Sequence, residues 1–297
     1  MLSGFVIVKI ALIDGFNLVF RAYYGMPELT RKDGFPTGAL HGWVRSLWWV
    51  ADRVEPDRII VFFDLGAPKR QLDLHPDYKA NRGDTPEDLV KQIPVVKEWT
   101  RAMGYGGIEQ DGVEADDLIG AYAKRIAERG DEAIIVSADK DLAQLVGPQV
   151  SQLLPPPTAN PRLGWRRLDS GGVEDKFGIP PKLIPDYLAL IGDTSDNIPG
   201  VKGVGPKTAV KWLRQYRSIE GVIENCGEIM PKRFQRMVHA QQDDIRRNLK
   251  MTLLETGYDC SPLDAPIPID EDRAIGLLEE MEMTASAQSA RKRLGRE

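Results

Sequence analysis

Apolar residues along the chain fall into short unbroken runs, separated by longer stretches with helical spacing. Val6 to Ile13 is one such run, interrupted only by Lys9 and closed by Asp14-Gly15. Runs of four to eight apolar residues bounded by turn residues predict buried strands. Arg58 to Phe63 is a second, ending at Asp64. Ala133 to Val136 is a third, followed by Ser137-Ala138-Asp139-Lys140-Asp141. Between them, Ala39 to Val54 sets Leu40, Val44, Leu47 and Trp48 on one helical face. Leu118, Tyr122 and Ile126 fall at i, i+4 and i+8, so a helix is predicted to begin within Gly112-Val113-Glu114-Ala115-Asp116-Asp117. Strands that alternate with helices predict the α/β class, with a mostly parallel central sheet flanked by helices. This core is expected over residues 1–171. The Pro- and Gly-rich stretch from Leu153 to Gly172 reads as a connection. Residues 172–297 are expected to form a helical unit, with amphipathic pieces at Ile245–Leu254 and Ala274–Met283. The basic end from Ala285 to Arg296 is expected to pack rather than bind.

The acidic positions follow this pattern closely. In open parallel sheets the site lies beyond the carboxyl ends of the strands. Asp14, Asp64 and Asp139 all stand there. Glu114, Asp116 and Asp117 crowd one helix start; by themselves they would merely complement the helix dipole, worth about 0.3–1 kcal/mol each. Asp139 and Asp141 point the same way in an extended segment. Asp193 and Asp196, three apart, would share one side of a helical turn. Carboxylates brought together raise one another's pKa, and a cluster persists most easily when cations neutralise it. The chain is therefore expected to hold divalent metal ions around these acids.

Two basic segments add to this. Lys69 to Arg82 is long for a connection in a compact domain, and such connections are often functional. Its Lys69, Arg70, Lys79 and Arg82, with Tyr78 among them, suit a phosphate backbone and one base-stacking ring. A solvated mixed-charge loop is the plain alternative. Gly200 to Ala209 places close glycines before a helix, exposing N–H groups to phosphate. Lys202, Gly203, Gly205, Lys207 and Thr208 are the candidate contacts, and Gly205 is expected to need a positive φ. A tight helix–helix joint would use the same glycines.

Composition changes the picture only slightly. The 297 residues are 42% apolar and 28% charged, ordinary for a globular chain. The net charge of −5 argues weakly against a nucleic-acid partner. Setting the nine clustered acids aside leaves a mildly basic remainder. Cys226 and Cys260 are far apart, so reduced thiols in a cytoplasmic setting are expected. The three histidines show no zinc spacing. No run is long enough to span a membrane, and a monomer is expected.

Seven ordered stretches then carry a resemblance. They are Leu12-Ile13-Asp14-Gly15, Val61-Phe62-Phe63-Asp64, Tyr78-Lys79-Ala80-Asn81-Arg82, Val113-Glu114-Ala115-Asp116-Asp117, Ala138-Asp139-Lys140-Asp141, Gly192-Asp193-Thr194-Ser195-Asp196-Asn197 and Gly203-Val204-Gly205-Pro206-Lys207-Thr208-Ala209. Together they resemble the 5′-nuclease family, which includes flap endonucleases and the amino-terminal domain of bacterial DNA polymerase I. The resemblance implies a PIN-like α/β core, a helical arch and a helix–hairpin–helix-type clamp. It implies that Asp14, Asp64, Glu114 and Asp116 surround one metal ion. Asp117, Asp139, Asp141, Asp193 and Asp196 would hold or support a second. Two ions, Mg²⁺ or Mn²⁺, are implied, with K⁺ at the clamp turn. Lys79 and Arg82 match basic residues at the base of the arch, with the catalytic role of steering the scissile phosphate and stabilising its charge. The implied partners are DNA with a 5′ flap, nick or 5′ end and a DNA polymerase acting separately. Three rivals are weighed against this. A non-catalytic DNA-binding relative predicts missing second-site acids, and none is missing. A small RNA-cleaving nuclease would not need the clamp. A phosphatase would need an Asp-x-Asp motif straight after the first strand, which Asp14-Gly15-Phe16 lacks.

Overall fold

The computed structural model describes residues 7–263 and 265–296. Strands β1 (Lys9–Asp14), β2 (Arg58–Phe62), β3 (Gly106–Ile108), β4 (Glu132–Val136), β5 (Val150–Leu154) and β6 (Arg166–Leu168) form one sheet, in the order β3-β2-β1-β4-β5-β6. All neighbours run parallel except β5 and β6. Two short strands, β7 (Gly192–Asp193) and β8 (Ile198–Pro199), pair antiparallel elsewhere. Five helices belong to the first half: α1 (Gly15–Gly25), α2 (Gly38–Val54), α3 (Lys69–Leu74), α4 (Glu87–Ala102) and α5 (Ala115–Glu128). Six follow the sheet: α6 (Ser170–Phe177), α7 (Ile184–Ile191), α8 (Pro206–Tyr216), α9 (Ile219–Glu224), α10 (Gln235–Ala240) and α11 (Gln242–Thr252). The chain closes with α12 (Glu271–Glu280) and α13 (Thr284–Arg293). The predicted strands and helices are present with shifted ends. Val6, placed in the first strand by sequence, lies outside the described residues.

The runs in β1, β2 and β4 are apolar without alternation because both faces are covered. Ala11, Ile13, Ile59, Val61, Ile134 and Val136 share one core with α1, α2, α4, α12 and α13. Ile10, Leu12, Ile60, Phe62, Ala133 and Ile135 share the opposite core with α5. Trp43 and Trp99 are fully buried in the first, each worth more than the roughly 1.5–3 kcal/mol of a buried Leu or Phe. A third core, Val173, Ile184, Leu188, Trp212, Ile219 and Phe234 among others, holds α6 to α11 together.

The packing crosses the boundary expected at 171/172. Leu254, Tyr258, Cys260 and Leu263 return to the α5 face of the sheet. Ala274, Leu277, Leu278, Met283, Ala287 and Ala290 pack on the other face. The basic tail is tied down as well: Arg293 pairs with Asp52, Arg291 with Glu279, and Arg296 with Glu271 and Asp272.

The strand order reverses direction at β1. The chain builds outward through β2 and β3, then resumes on the other side of β1 with β4. Crevices at such switch points are where α/β folds bind ligands. Asp14 ends β1 there, and Ser137 to Asp139 leave β4 beside it.

Candidate active site

A cavity of about 550 Å³ lies over this switch point. Asp14, Asp64, Asp116 and Asp139 line it together. Each is placed by its own element. Asp14 caps α1, accepting from the Asn17 N–H at 3.1 Å, and its second oxygen accepts from the Ser137 hydroxyl at 2.7 Å. Asp64 follows β2 and accepts from the Ala115 N–H at 2.7 Å, which ties it to the start of α5. Asp139 accepts from the Asp141 N–H at 2.9 Å. Asp116 sits in the first turn of α5. The β4 exit is itself held by Gln152, whose amide donates to the carbonyls of Ser137 and Asp139, and by the Asn17 side chain, which accepts from the Ala138 N–H.

These carboxylates have neutral donors but few charges opposite them. Burial pushes the Asp14 carboxyl up to about 7, helped by the charges of Asp139 and Asp64 and opposed by the Ser137 hydroxyl. Burial and the neighbouring acids push Asp116 well above the carboxylate range. Asp139 is raised too, chiefly by burial.

A second group adjoins the first. Asp141 begins a short 3₁₀ turn, while Asp193 and Asp196 lie in the β7–β8 hairpin; ligand atoms of all three lie within 4.8 Å of one another. The helical turn expected for Asp193 and Asp196 is not formed. Gly192 takes φ +75° and Gly200 packs on its backbone, where any Cβ would meet backbone atoms at 2.2–2.5 Å. That contact closes a hairpin neck, and the turn beyond brings the two acids together. Burial and the charges of Asp139, Asp196 and Asp193 raise Asp141 well above the usual range. One of its oxygens, Oδ1, is buried without a hydrogen-bond partner. For Asp193, burial raises the carboxyl, but the Ser195 hydroxyl and Lys140 outweigh it and the net shift is downward.

The segment from His75 to Arg82 is stitched onto this hairpin. The Lys79 N–H donates to the Asp196 carbonyl, Asn81 to the Thr194 carbonyl, and Asn197 to the Asp77 carbonyl. Lys79 pairs with Glu114, and Arg82 with Asp196 at 2.6 Å. Burial opposes the charge on Lys79, yet Glu114 and Asp196 raise its pKa. Both Lys79 and Arg82 line the acidic cavity. Glu114 joins the two acidic groups through Lys79 and Tyr78.

Three sequence readings need correction. Tyr78 is not a free stacking ring: it is 7% exposed, packed with Ile198 and Met251, and its hydroxyl donates to Glu114 and Asp196 at 3.2 Å. Asp117 does not face the cavity with Asp116. It accepts from Arg70, from Gln71 and from the Glu255 N–H. Arg70 is correspondingly engaged, with further bonds to the carbonyls of Lys250 and Leu253. The pair fastens α3 and α11 to α5 and is a structural joint. At the clamp turn, Lys202 and Lys207 are exposed and Thr208 is half-buried before and within α8. The positive φ falls on Gly203 (+78°); Gly205 is extended at −108°.

Sequence reasoning also passed over residues that the cavity uses. Phe16, Phe20 and Tyr24 line it at i, i+4 and i+8 of α1, with Arg21 between them. Phe20 and Tyr24 stack at 6.5 Å, and Tyr24 is 62% exposed. That spacing was visible, but an aromatic stripe reads first as core. Asn17, Ser137, Gln152 and Ser195 carried no signal, because their roles arise only when distant segments meet.

Comparison with known proteins fits this geometry. The model of the 5′-3′ exonuclease N-terminal resolvase-like domain matches residues 9–178, and that of the 5′-3′ exonuclease C-terminal SAM fold matches 179–271. A 5′-3′ exonuclease of Aquifex aeolicus (strain VF5) is 35% identical over 276 residues, covering 92% of this chain and 91% of its own. DNA polymerase I of Rhizobium leguminosarum is 36% identical over 287 residues, but the match spans only 27% of that polymerase. The fold is also that of T5 5′-exonuclease, solved with bound zinc ions, at a TM-score of 0.70 and 21% identity, over 95% of this chain and 98% of that one. Fold and acidic cavity together define a nuclease with a resolvase-like core and a helical second unit. The chain belongs to the 5′-3′ exonuclease family. Among the described residues, no helix is long and apolar enough to cross a membrane.

Proposed function

We propose that this chain hydrolyses DNA phosphodiesters near 5′ ends and at 5′-flap junctions. The observation that carries the reading is the convergence of Asp14, Asp64, Asp116 and Asp139 on one cavity, with Asp141, Asp193 and Asp196 grouped beside it. The donors are all carboxylate oxygens, which suit hard cations such as Mg²⁺ or Mn²⁺. The fit has support in the chain itself: buried acids with raised pKa values, and the partnerless Asp141 Oδ1. Asp14, Asp64, Glu114 and Asp116 would hold one ion. Asp141, Asp193 and Asp196 would hold a second, with Asp139 between them. Bound ions would supply Lewis-acid neutralisation of the phosphate and favour ionisation of water.

The remaining work falls to the chain. Lys79 and Arg82, released from Glu114 and Asp196, would neutralise charge as it develops on the phosphate. The stripe of Phe16, Phe20 and Tyr24 offers apolar faces for unpaired bases. Lys202, Gly203, Gly205, Lys207 and Thr208 would grip a duplex backbone without reading its sequence, with K⁺ at that turn. The chain would act as a monomer, on substrates that a separate DNA polymerase leaves behind.

The test compares a 5′-labelled flap, a nicked duplex and a single strand, with Mg²⁺ and with EDTA. Cutting of the flap at its junction, dependent on Mg²⁺ and leaving a 5′-phosphate, is expected. Equal cutting in EDTA, or no preference for flap over single strand, contradicts the reading.

A further inference from the structure

Three basic side chains lie against the carboxylates: Lys79 on Glu114, Arg82 on Asp196 and Lys140 on Asp193. The first two line the cavity, and their role follows from that. Lys140 does not line it, and nothing above gives it work. Its position is nevertheless built. Its Nζ lies 2.9 Å from Asp193 Oδ2, and Asp193 is only 5% exposed. The other oxygen of Asp193 is taken by the Ser195 N–H at 2.9 Å and the Ser195 hydroxyl at 2.6 Å. An ion approaching Asp193 must therefore meet Oδ2, the oxygen beside the Lys140 ammonium. Asp141, one residue further along the same turn, shows the opposite state: its Oδ1 is buried with no partner at all. A buried carboxylate oxygen without a donor is a group that awaits one.

We propose that Lys140 is a positioning residue, a protein-borne counter-ion for the group Asp141, Asp193 and Asp196. It neutralises Asp193 while the group is ion-free, and a divalent ion entering the group displaces it. Its charge thereby sets how tightly that ion is held. This rests on the reading of the three acids as ion ligands. The exchange is physically available because the Lys140 side chain is 34% exposed and rides on a flexible four-carbon stem, so its ammonium can turn to water. An ion and an ammonium at the same carboxylate repel one another, and the tethered charge must leave before the ion gains full contact. Removing the charge then acts in two directions. The ion-free hairpin loses the partner of a buried carboxylate and becomes less stable. The ion meets a more negative group and binds more tightly. A merely structural lysine would lower stability and leave affinity unchanged or weaker.

The experiment titrates Mn²⁺ alone into the full chain by calorimetry and measures melting in EDTA. It uses the parent, Lys140→Met, Lys140→Gln, Lys140→Arg and, as a reference, Asp141→Asn. Both neutral variants are included so that a packing fault in one does not stand in for the loss of charge. Asp141→Asn is expected to lose one ion, which identifies the site. Lys140→Met and Lys140→Gln should melt lower in EDTA yet bind that same ion roughly tenfold more tightly. Lys140→Arg should keep the parent affinity. Unchanged or weaker affinity in both neutral variants overturns the counter-ion role. A parent that binds no Mn²⁺, or an Asp141→Asn chain that still binds the full complement, overturns instead the reading of these acids as ion ligands.

Discussion

The two acidic groups are neutralised in different ways. At the sheet end, Asp14, Asp64 and Asp139 are met by N–H and hydroxyl donors, and Asp116 by no charge, so burial and mutual repulsion push Asp14, Asp116 and Asp139 upward. At the hairpin, Asp193 and Asp196 each carry a basic partner, and Asp193 ends below its ordinary value. The first group stands at the ends of β1, β2 and β4 and at the start of α5. The second stands on a turn and a hairpin stitched to the segment that carries Lys79 and Arg82. The difference teaches that burial and mutual repulsion oppose charge at the sheet end, while at the hairpin Lys140 and Arg82 offset it for Asp193 and Asp196 and leave Asp141 raised.

The sharpest way to break this contrast is at Asp116. Asp116→Asn should lower cleavage by about a thousandfold or more, because the ion it helps hold supplies several kcal/mol of transition-state stabilisation. The same change should raise the melting temperature in EDTA, since a neutral amide removes the cost of burying an ionisable carboxyl among other acids. Steady-state rates and melting curves on one preparation check both. A fall in EDTA stability together with normal cutting would place Asp116 among the packing residues.

Lys79→Ala should come next, with kcat down by roughly a hundredfold and KM changed far less, because its charge is most useful where charge develops. A change confined to KM would make Lys79 a substrate collector. Asp117→Ala should leave cleavage per folded molecule intact and cost about 3 kcal/mol in urea unfolding, as expected when a buried pair loses one partner. Loss of cutting without loss of stability would return Asp117 to the acidic site.

Much of this was legible in the chain, for physical reasons that also mark where reading stops. Asp14, Asp64 and Asp139 end apolar strands, and parallel strands deliver their ends to one place. Asp116 and Asp117 could not both face that place, because neighbours on a helix lie about 100° apart; adjacency in sequence misled. Asp193 and Asp196 were rightly paired but by the wrong structure, since the contact of Gly192 with Gly200 forms a hairpin where an i, i+3 spacing suggested a helix. Tyr78 looked like an exposed ring because its cover, Ile198 and Met251, comes from far along the chain. The amphipathic spacing of Ala274 to Met283 announced a buried face without saying what would cover it, and it proved to be the sheet.

The central claim is that the sheet-end carboxylates are charged only at a cost that divalent ions remove. Its most direct test is melting temperature against pH, with EDTA and with saturating Mn²⁺. Burial raises Asp14 in the folded chain from its ordinary 3.8 to about 7, so between those values the folded state binds more protons than the unfolded state. Stability in EDTA must then fall as pH rises through that window. The account predicts a melting temperature that declines from about pH 4 to about pH 7 in EDTA, and a stabilisation by Mn²⁺ that grows over the same range. A melting temperature that rises with pH in EDTA across that window, or a Mn²⁺ effect independent of pH, would contradict it.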